Sequence, residues 1–355
     1  MSLEIAGGGI VKPGCARTAT ASRKEFPTEN HRMFGVATAL FACLPAAAFA
    51  QAIDLTHYSG RILTDPEFLP LAGQVYGITA YSHGWVNGDF VNGSGTQIST
   101  FHINTNTLDQ FLAYGITDDI SVHASIAYAP QNYREIDYSN GTRADLDTSG
   151  FSDPAFGATW RLLDQSAWPA NFDLFGSYAP DWISAHTATA VEDGTVARGG
   201  DSGIIGAALG IVTQGFSIRG EFDANFLGQS SILNLGNGQV VQTASHTNFD
   251  LSLETQTRLT DLFSVNAGVT HTFASNTNGI NLASGIPHSD EPGDVTALQL
   301  ALNYNFDPNV FAVSATYAHD FYDNSRTIYP NPLSDVGTRN KSGDILGVKL
   351  TNATP

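Results

Sequence analysis

Residues 216–226 read FSIRGEFDANF, a strict alternation. Side chains point to opposite faces along an extended strand. Phe216, Ile218, Gly220, Phe222, Ala224 and Phe226 therefore share one face, and Ser217, Arg219, Glu221, Asp223 and Asn225 share the other. One wall is apolar and the other is charged. Residues 248–258 repeat the pattern, with Phe249, Leu251 and Leu253 opposite Asp250, Ser252, Glu254 and Arg258. Residues 120–128, 263–273 and 298–306 alternate in the same way, with His271 the one polar intruder on the apolar face of its segment. Such strands build a sheet with water on one side and an apolar medium on the other. That medium is either a protein core or lipid.

The spacing of the segments decides between them. Twelve strand-like stretches fall near 73–84, 102–115, 120–130, 154–163, 171–180, 202–213, 215–227, 245–259, 262–274, 295–306, 309–321 and 343–351. Most are roughly ten residues long, the length a tilted strand needs to cross a bilayer. Their connections alternate between short (116–119, 164–170, 214, 260–261, 307–308) and long and polar (85–101, 131–153, 181–201, 228–244, 275–294, 322–342). An even strand number with sorted connections predicts an all-β fold, a transmembrane antiparallel up-and-down barrel of about twelve strands. Its short turns are expected on the periplasmic side and its long loops outside the cell. A dry core does not bury faces carrying Asp173, Arg219, Glu221, Asp223, Asp250 and Glu254 without close pairing, whereas a wet lumen does. The apolar faces are therefore assigned to outer-membrane lipid, with aromatic girdles at Tyr114, Tyr128, Tyr178, Phe226, Phe263, Phe273, Tyr304, Phe306 and Phe311. After Ala50 no apolar run reaches the ~18 residues of a spanning helix. The net charge of −18 excludes nucleic acid as a partner, since that needs clustered Lys and Arg.

Residues 33–50, MFGVATALFACLPAAAFA, follow Arg23, Lys24 and Arg32 and end in a small-x-small site at Ala48-Phe49-Ala50. They read as a cleaved secretory signal peptide, which directs the chain to the outer membrane of a Gram-negative bacterium. Residues 1–32, with Glu4, Glu25 and Glu29, are too long and polar for a signal and read as a gene-model extension. Cys15 and Cys43 both precede Gln51, so the mature chain needs no disulfide. In 51–72, Pro66 and Pro70 argue against a paired strand. That stretch is expected to be a periplasmic lead-in, or a short segment tucked into the lumen. The barrel then occupies 73–355.

Three stretches resemble a known family. They are DPEFLPLAGQ at 65–74, YGITDDI at 114–120, and GFSDP at 150–154 followed by GATWRLL at 157–163. They are similar to the outer-membrane transporter family named for the meta-pathway of phenol degradation, and the likeness spans most of 60–350. The resemblance implies a β-barrel that passes small, often aromatic or hydrophobic, solutes. The C-terminus, Leu350-Thr351-Asn352-Ala353-Thr354-Pro355, departs from the aromatic ending that the barrel-assembly machinery usually reads.

The pattern holds no P-loop, dinucleotide fingerprint or zinc-protease motif, and neither cofactor nor metal is expected. His123 and Ser125 share a strand face. Facing lipid, such a pair would suit a barrel enzyme of lipase or acyl-transfer type, but the alternation points both into the lumen. Carboxylates at 288–294 and at Asp145 and Asp147 would suit a hard divalent cation, but read better as solvated loops. The expected pore lining is Arg219, Glu221, Asp223, Asp250, Glu254, Arg258, Asp173 and His123. Opposed charges there either set a field across the pore or brace the wall as a salt-bridge network. Excess acid favours cations or neutral solutes over anions. Less polar inward positions at Phe175, Ile204, Ala208 and Val212 would suit a hydrophobic one. The sequence therefore predicts a passive channel for small solutes. The alternatives are a barrel-wall enzyme and a structural or adhesive barrel plugged from within.

Overall fold

The structure is a computed structural model that describes residues 62–354 except 190, 191, 236 and 308. The expected signal peptide and N-terminal extension lie outside the described residues. Twelve antiparallel strands form the wall: β1 (Val75–Asn92), β2 (Gln97–Gly115), β3 (Ile120–Tyr138), β4 (Ala155–Leu163), β5 (Asn171–Ala179), β6 (Ser202–Val212), β7 (Phe216–Leu227), β8 (His246–Arg258), β9 (Phe263–Phe273), β10 (Val295–Asp307), β11 (Phe311–Tyr322) and β12 (Val336–Ala353). Each pairs with the next, and β1 pairs back onto β12 from Tyr76↔Ala353 to Asn92↔Val336, which closes the barrel. Closure leaves no sheet edge unpaired, the condition for a sheet to stand in lipid.

One rim is made by the connections 116–119, 164–170, 213–215, 259–262 and 309–310. At the other rim the structure differs from the expected long loops. The stretches 85–101 and 131–153 are largely strand: β1 and β2 run on to a turn at 93–96, and β3 continues to Tyr138 before pairing with Arg143–Phe151. With 18, 19 and 19 residues, β1, β2 and β3 exceed the ~10 that cross a bilayer. Six further short strands, at 186–187, 230–234, 240–243, 277–281, 286–291 and 325–328, pair with one another and onto β12. The wall thus continues as a collar above the twelve-stranded section.

Polarity is inverted relative to a water-soluble sheet protein. Phe222, Phe226, Phe249, Leu251, Leu300, Leu302, Leu346 and Val348 lie on the outer surface, while Ser217, Gln256, Ser264, Asn266, Asn303, Ser314 and Thr351 are buried within. Aromatic contacts ring the outside near the short-turn rim, with Phe263–Tyr304 at 4.8 Å, Tyr304–Phe306 at 4.5 Å and Phe306–Phe311 at 5.5 Å. A second ring includes Tyr128–Phe151, Phe156–Trp182, His271–Phe273 and His319–Phe321. His271, the polar intruder, sits in this second ring with Nδ1 2.9 Å from Thr296 Oγ1. From Phe263 to Phe273 a strand rises about 34 Å, or about 26 Å along an axis tilted ~40° from it, close to the ~25 Å apolar band of an outer-membrane barrel.

Candidate functional site

The residues before β1 organise the inside of the barrel. Ile62, Leu63, Thr64, Asp65, Glu67 and Leu69 are all buried. A tight turn shapes this strap: the Asp65 N–H donates to the Ile62 carbonyl and the Phe68 N–H to the Asp65 carbonyl, at 2.9 and 3.0 Å. Prolines at 66 and 70 keep it from joining the sheet, so side chains must satisfy its backbone groups. Gln256 Nε2 and Asn266 Nδ2 both donate to the Thr64 carbonyl, at 2.8 and 3.0 Å. The Tyr76 hydroxyl donates to the Leu63 carbonyl at 3.2 Å. At its end the strap crosses Gly115, whose N–H donates to the Gln74 carbonyl and whose carbonyl accepts from the Gly73 N–H. A side chain at 115 would meet the Leu71 carbonyl, so only glycine fits there.

Glu67 is the strap's main anchor. Its Oε1 accepts from Arg219 Nη1 at 2.9 Å, and its Oε2 accepts from Asn171 Nδ2 at 2.7 Å and from Arg161 Nη2 at 3.3 Å. Arg161 Nη2 also donates to the Glu67 carbonyl at 3.0 Å. Asp173 completes the group, held bidentately by Arg161 at 2.8 and 3.0 Å and by Arg219 Nη1 at 2.7 Å. Exposure is 1% for Glu67, 2% for Asp173 and 5% for Arg161. Two carboxylates and two guanidiniums thus compensate one another in a dry place, the condition under which buried charge is tolerable. Gly210 makes room, since a Cβ there would collide with the Glu67 carboxylate. The partners sit at strand ends next to the short-turn rim, so the strap lies across that end of the lumen.

The strap's second carboxylate, Asp65, accepts from the Glu67 N–H at 2.9 Å. Burial raises its pKa to about 6; this hydrogen bond and the positive charge of Arg258 hold the rise back.

The expected lining residues divide into three groups. Asp173 and Arg219 belong to the buried quartet, and Glu221 joins it at the edge by accepting from Arg219 Nε. Arg258 faces the strap's Asp65. Asp223 and Asp250 stand directly opposite each other across β7 and β8, and Glu254 stands opposite Arg219 and accepts from Asn266 Nδ2 at 2.9 Å. His123 lies on β3, its ring 5.3 Å from Phe111, and lines a cavity together with Asp173, Arg219 and Glu221. Both it and Ser125 share the inward face of β3 with the buried Ser121. Asp145 is engaged by the Tyr133 hydroxyl and Arg143 Nε, and Asp290 by the Thr327 hydroxyl.

Two cavities flank the Arg219–Glu221 pair. One of about 190 Å³ is polar, lined by Ser252, Glu254, Thr270 and Gln299. The other, of about 140 Å³, lies between the strap and β1–β3, lined by Phe68, Tyr76, Phe111 and His123. Phe68 and Tyr76 are 4.7 Å apart, and Tyr76 and Phe111 6.2 Å. This aromatic side lies on β1 and β2 as well as the strap. The expected stripe on β5 and β6 is present as inward Ala208 and Val212, both buried, and as Phe175, over which Gly206 leaves space. Glu67, Arg161, Asn171 and Thr64 were not picked out from the sequence. Arg161 lies on the polar face of its alternating segment, and Glu67 lies between two strand-breaking prolines; those were the available signals.

No protein-family model matches the chain, and no curated protein is significantly similar to it. Solved structures do match in fold. An outer membrane channel from Pseudomonas putida F1 superposes with a TM-score of 0.53 at 14% identity, over 82% of this chain and 98% of that one. The Pseudomonas putida toluene transporter TodX gives 0.39 at 9% identity, over 79% and 90%. At such identities the first likeness shows a shared closed-barrel fold. The second, with its low score, adds nothing to that.

Proposed function

We propose that the chain is an outer-membrane channel of a Gram-negative bacterium, passing small solutes by passive diffusion. The inverted polarity of a closed twelve-stranded barrel carries this reading. An outer face of Phe and Leu has no stable place in water, while a lumen of Ser, Thr, Asn, Gln and paired charges has none in lipid. The Pseudomonas putida channel, which shares the fold, is an outer membrane channel in its own right and supports the same reading. Asp223, Asp250, Glu254 and Glu221 make the acidic side of the path, which favours cations or neutral solutes. Phe68, Tyr76, Phe111 and His123 make an apolar side suited to a hydrophobic or aromatic one. The strap favours a second reading, a barrel held shut from within.

Conductance in planar bilayers tests the first reading against the second. Channels with a cation-selective reversal potential are expected, with selectivity lost in Asp223→Asn with Asp250→Asn. A folded barrel, shown by heat-modifiable gel migration, that conducts at no salt concentration would overturn the pore reading.

A further inference from the structure

The surroundings of Glu67 form a carboxylate-binding site that the chain fills with its own side chain. Three donors converge on the two oxygens: Arg219 Nη1, Arg161 Nη2 and Asn171 Nδ2. Each is held in place by a group other than Glu67. Asp173 grips Arg161 through both Nε and Nη2, and also holds Arg219 Nη1. Asn171 Oδ1 accepts from the Gln165 N–H at 2.7 Å, which fixes the amide so that Nδ2 points at the carboxylate. Gln165 in turn exchanges two hydrogen bonds of 2.7 Å with the Val212 backbone. Gly210 keeps the oxygen positions clear. If Glu67 swings away, the donors stay where they are, and two buried guanidiniums face Asp173, with the more exposed Glu221 paired to Arg219 and Glu254 opposite it across the strands. An anion of matching shape is then favoured.

We propose that this cradle binds small monocarboxylates, which replace the Glu67 carboxylate and free the strap. The inference goes beyond the pore reading and does not require that any solute cross the barrel. Glu67 competes from within the same chain, and Gln256, Asn266 and Tyr76 also hold the strap in place, so its effective concentration lies above the millimolar range of a short flexible tether. A free carboxylate with no other contacts must therefore exceed millimolar levels to displace it. An uncharged amide of the same shape cannot satisfy the guanidiniums and should not compete.

The test uses the full chain in detergent micelles with acetate, acetamide and chloride as probes. In Glu67→Ala the cradle is empty, and acetate should raise the unfolding temperature. At a hundred times its Kd it multiplies the folded-to-unfolded ratio by about a hundred. Acetamide, and sodium chloride at equal ionic strength, should do nothing comparable, and adding Arg161→Met should abolish the acetate effect. In the unmodified protein, a rising acetate series should speed amide hydrogen exchange in a peptide covering 62–69 and leave the β6–β9 peptides unchanged. Equal effects of acetate and chloride on Glu67→Ala would overturn the proposal. If that variant does not fold, unchanged exchange of 62–69 at every acetate concentration overturns it instead. Conductance is measured separately, so a failed pore and a failed cradle give different results.

Discussion

Replacing Arg161 by Met tests whether the strap is held by charge. Methionine keeps most of the volume and the flexible stem but removes every donor. The change deletes the 2.8 and 3.0 Å bonds to Asp173, the 3.0 Å bond to the Glu67 carbonyl and the 3.3 Å contact with its carboxylate. Arg219 is then left as the one guanidinium for Glu67, Asp173 and Glu221. Breaking a buried pair by removing one partner costs about 3–5 kcal/mol, because the other charge stays buried and uncompensated. At 1.36 kcal/mol per tenfold, that shifts an equilibrium by roughly two to four orders of magnitude. The loss falls on global unfolding if strap and barrel melt together, and on strap release alone if they do not. Urea unfolding followed by tryptophan fluorescence reads the first, and hydrogen exchange of 62–69 reads the second. Removing both partners, as Arg161→Met with Asp173→Leu, should recover at least ~2 kcal/mol of the single loss, since apolar replacement of a whole buried pair is often nearly neutral. A cost below ~1 kcal/mol by both measurements, or a double variant no better than the single one, would refute electrostatic latching.

Three other outcomes follow from the same geometry. Asp65, raised from 3.8 to about 6 by burial, binds its proton more tightly when the strap is docked. Asp65's own contribution to docking is thus fully present below pH ~4 and loses up to roughly 3 kcal/mol as the pH rises through 6; exchange of 62–69, corrected for intrinsic rates, should gain a component that speeds up as the pH rises towards 6, and Asp65→Asn should remove that component. Gly210→Ala puts a methyl against the Glu67 carboxylate and should loosen the strap while leaving far-UV circular dichroism unchanged. Leu251→Arg places a charge on the outer face of β8 and should cost about 2–4 kcal/mol near the membrane midplane in vesicle-based unfolding, whereas the same change at the inward neighbour Ser252 should cost far less.

Most of the wall strands were legible because an apolar medium on one side and polar groups on the other force period-two alternation; 73–84 and 102–115 alternate poorly, yet each expected segment recurs within β1–β12. The same rule explains what could not be read. Above the apolar band both faces of β1, β2 and β3 meet polar surroundings, so nothing selects alternation and residues 85–101 and 131–153 take on the composition of loops. The quartet was half legible. Asp173 and Arg219 stood out as charges on inward faces. Glu67 has no such pattern, and its bonds to Arg161 and Arg219 span 94 and 152 residues of sequence. Contacts of that range depend on how the barrel closes, which periodicity does not encode.

Closure also decides which charges along the proposed path are already paired within the protein. Along 216–226 the charged face looked uniform, yet its members do different work. Arg219 gives Nη1 to Glu67 and Asp173 and Nε to Glu221, so its positive charge is used up within the wall and the strap. Four residues on, Asp223 has another carboxylate, Asp250, as its register partner, an arrangement that is unfavourable unless something positive comes near. The strand therefore changes from paired to unbalanced charge between residues 219 and 223, which under the proposed pore reading makes a brace at one end and an attractor at the other, with Glu221 belonging to both. A solute descending the lumen would meet unbalanced acid first and the balanced quartet after it. Neutralising Asp223 and Asp250 should alter selectivity without loosening the strap, and neutralising Arg161 should loosen the strap without altering selectivity.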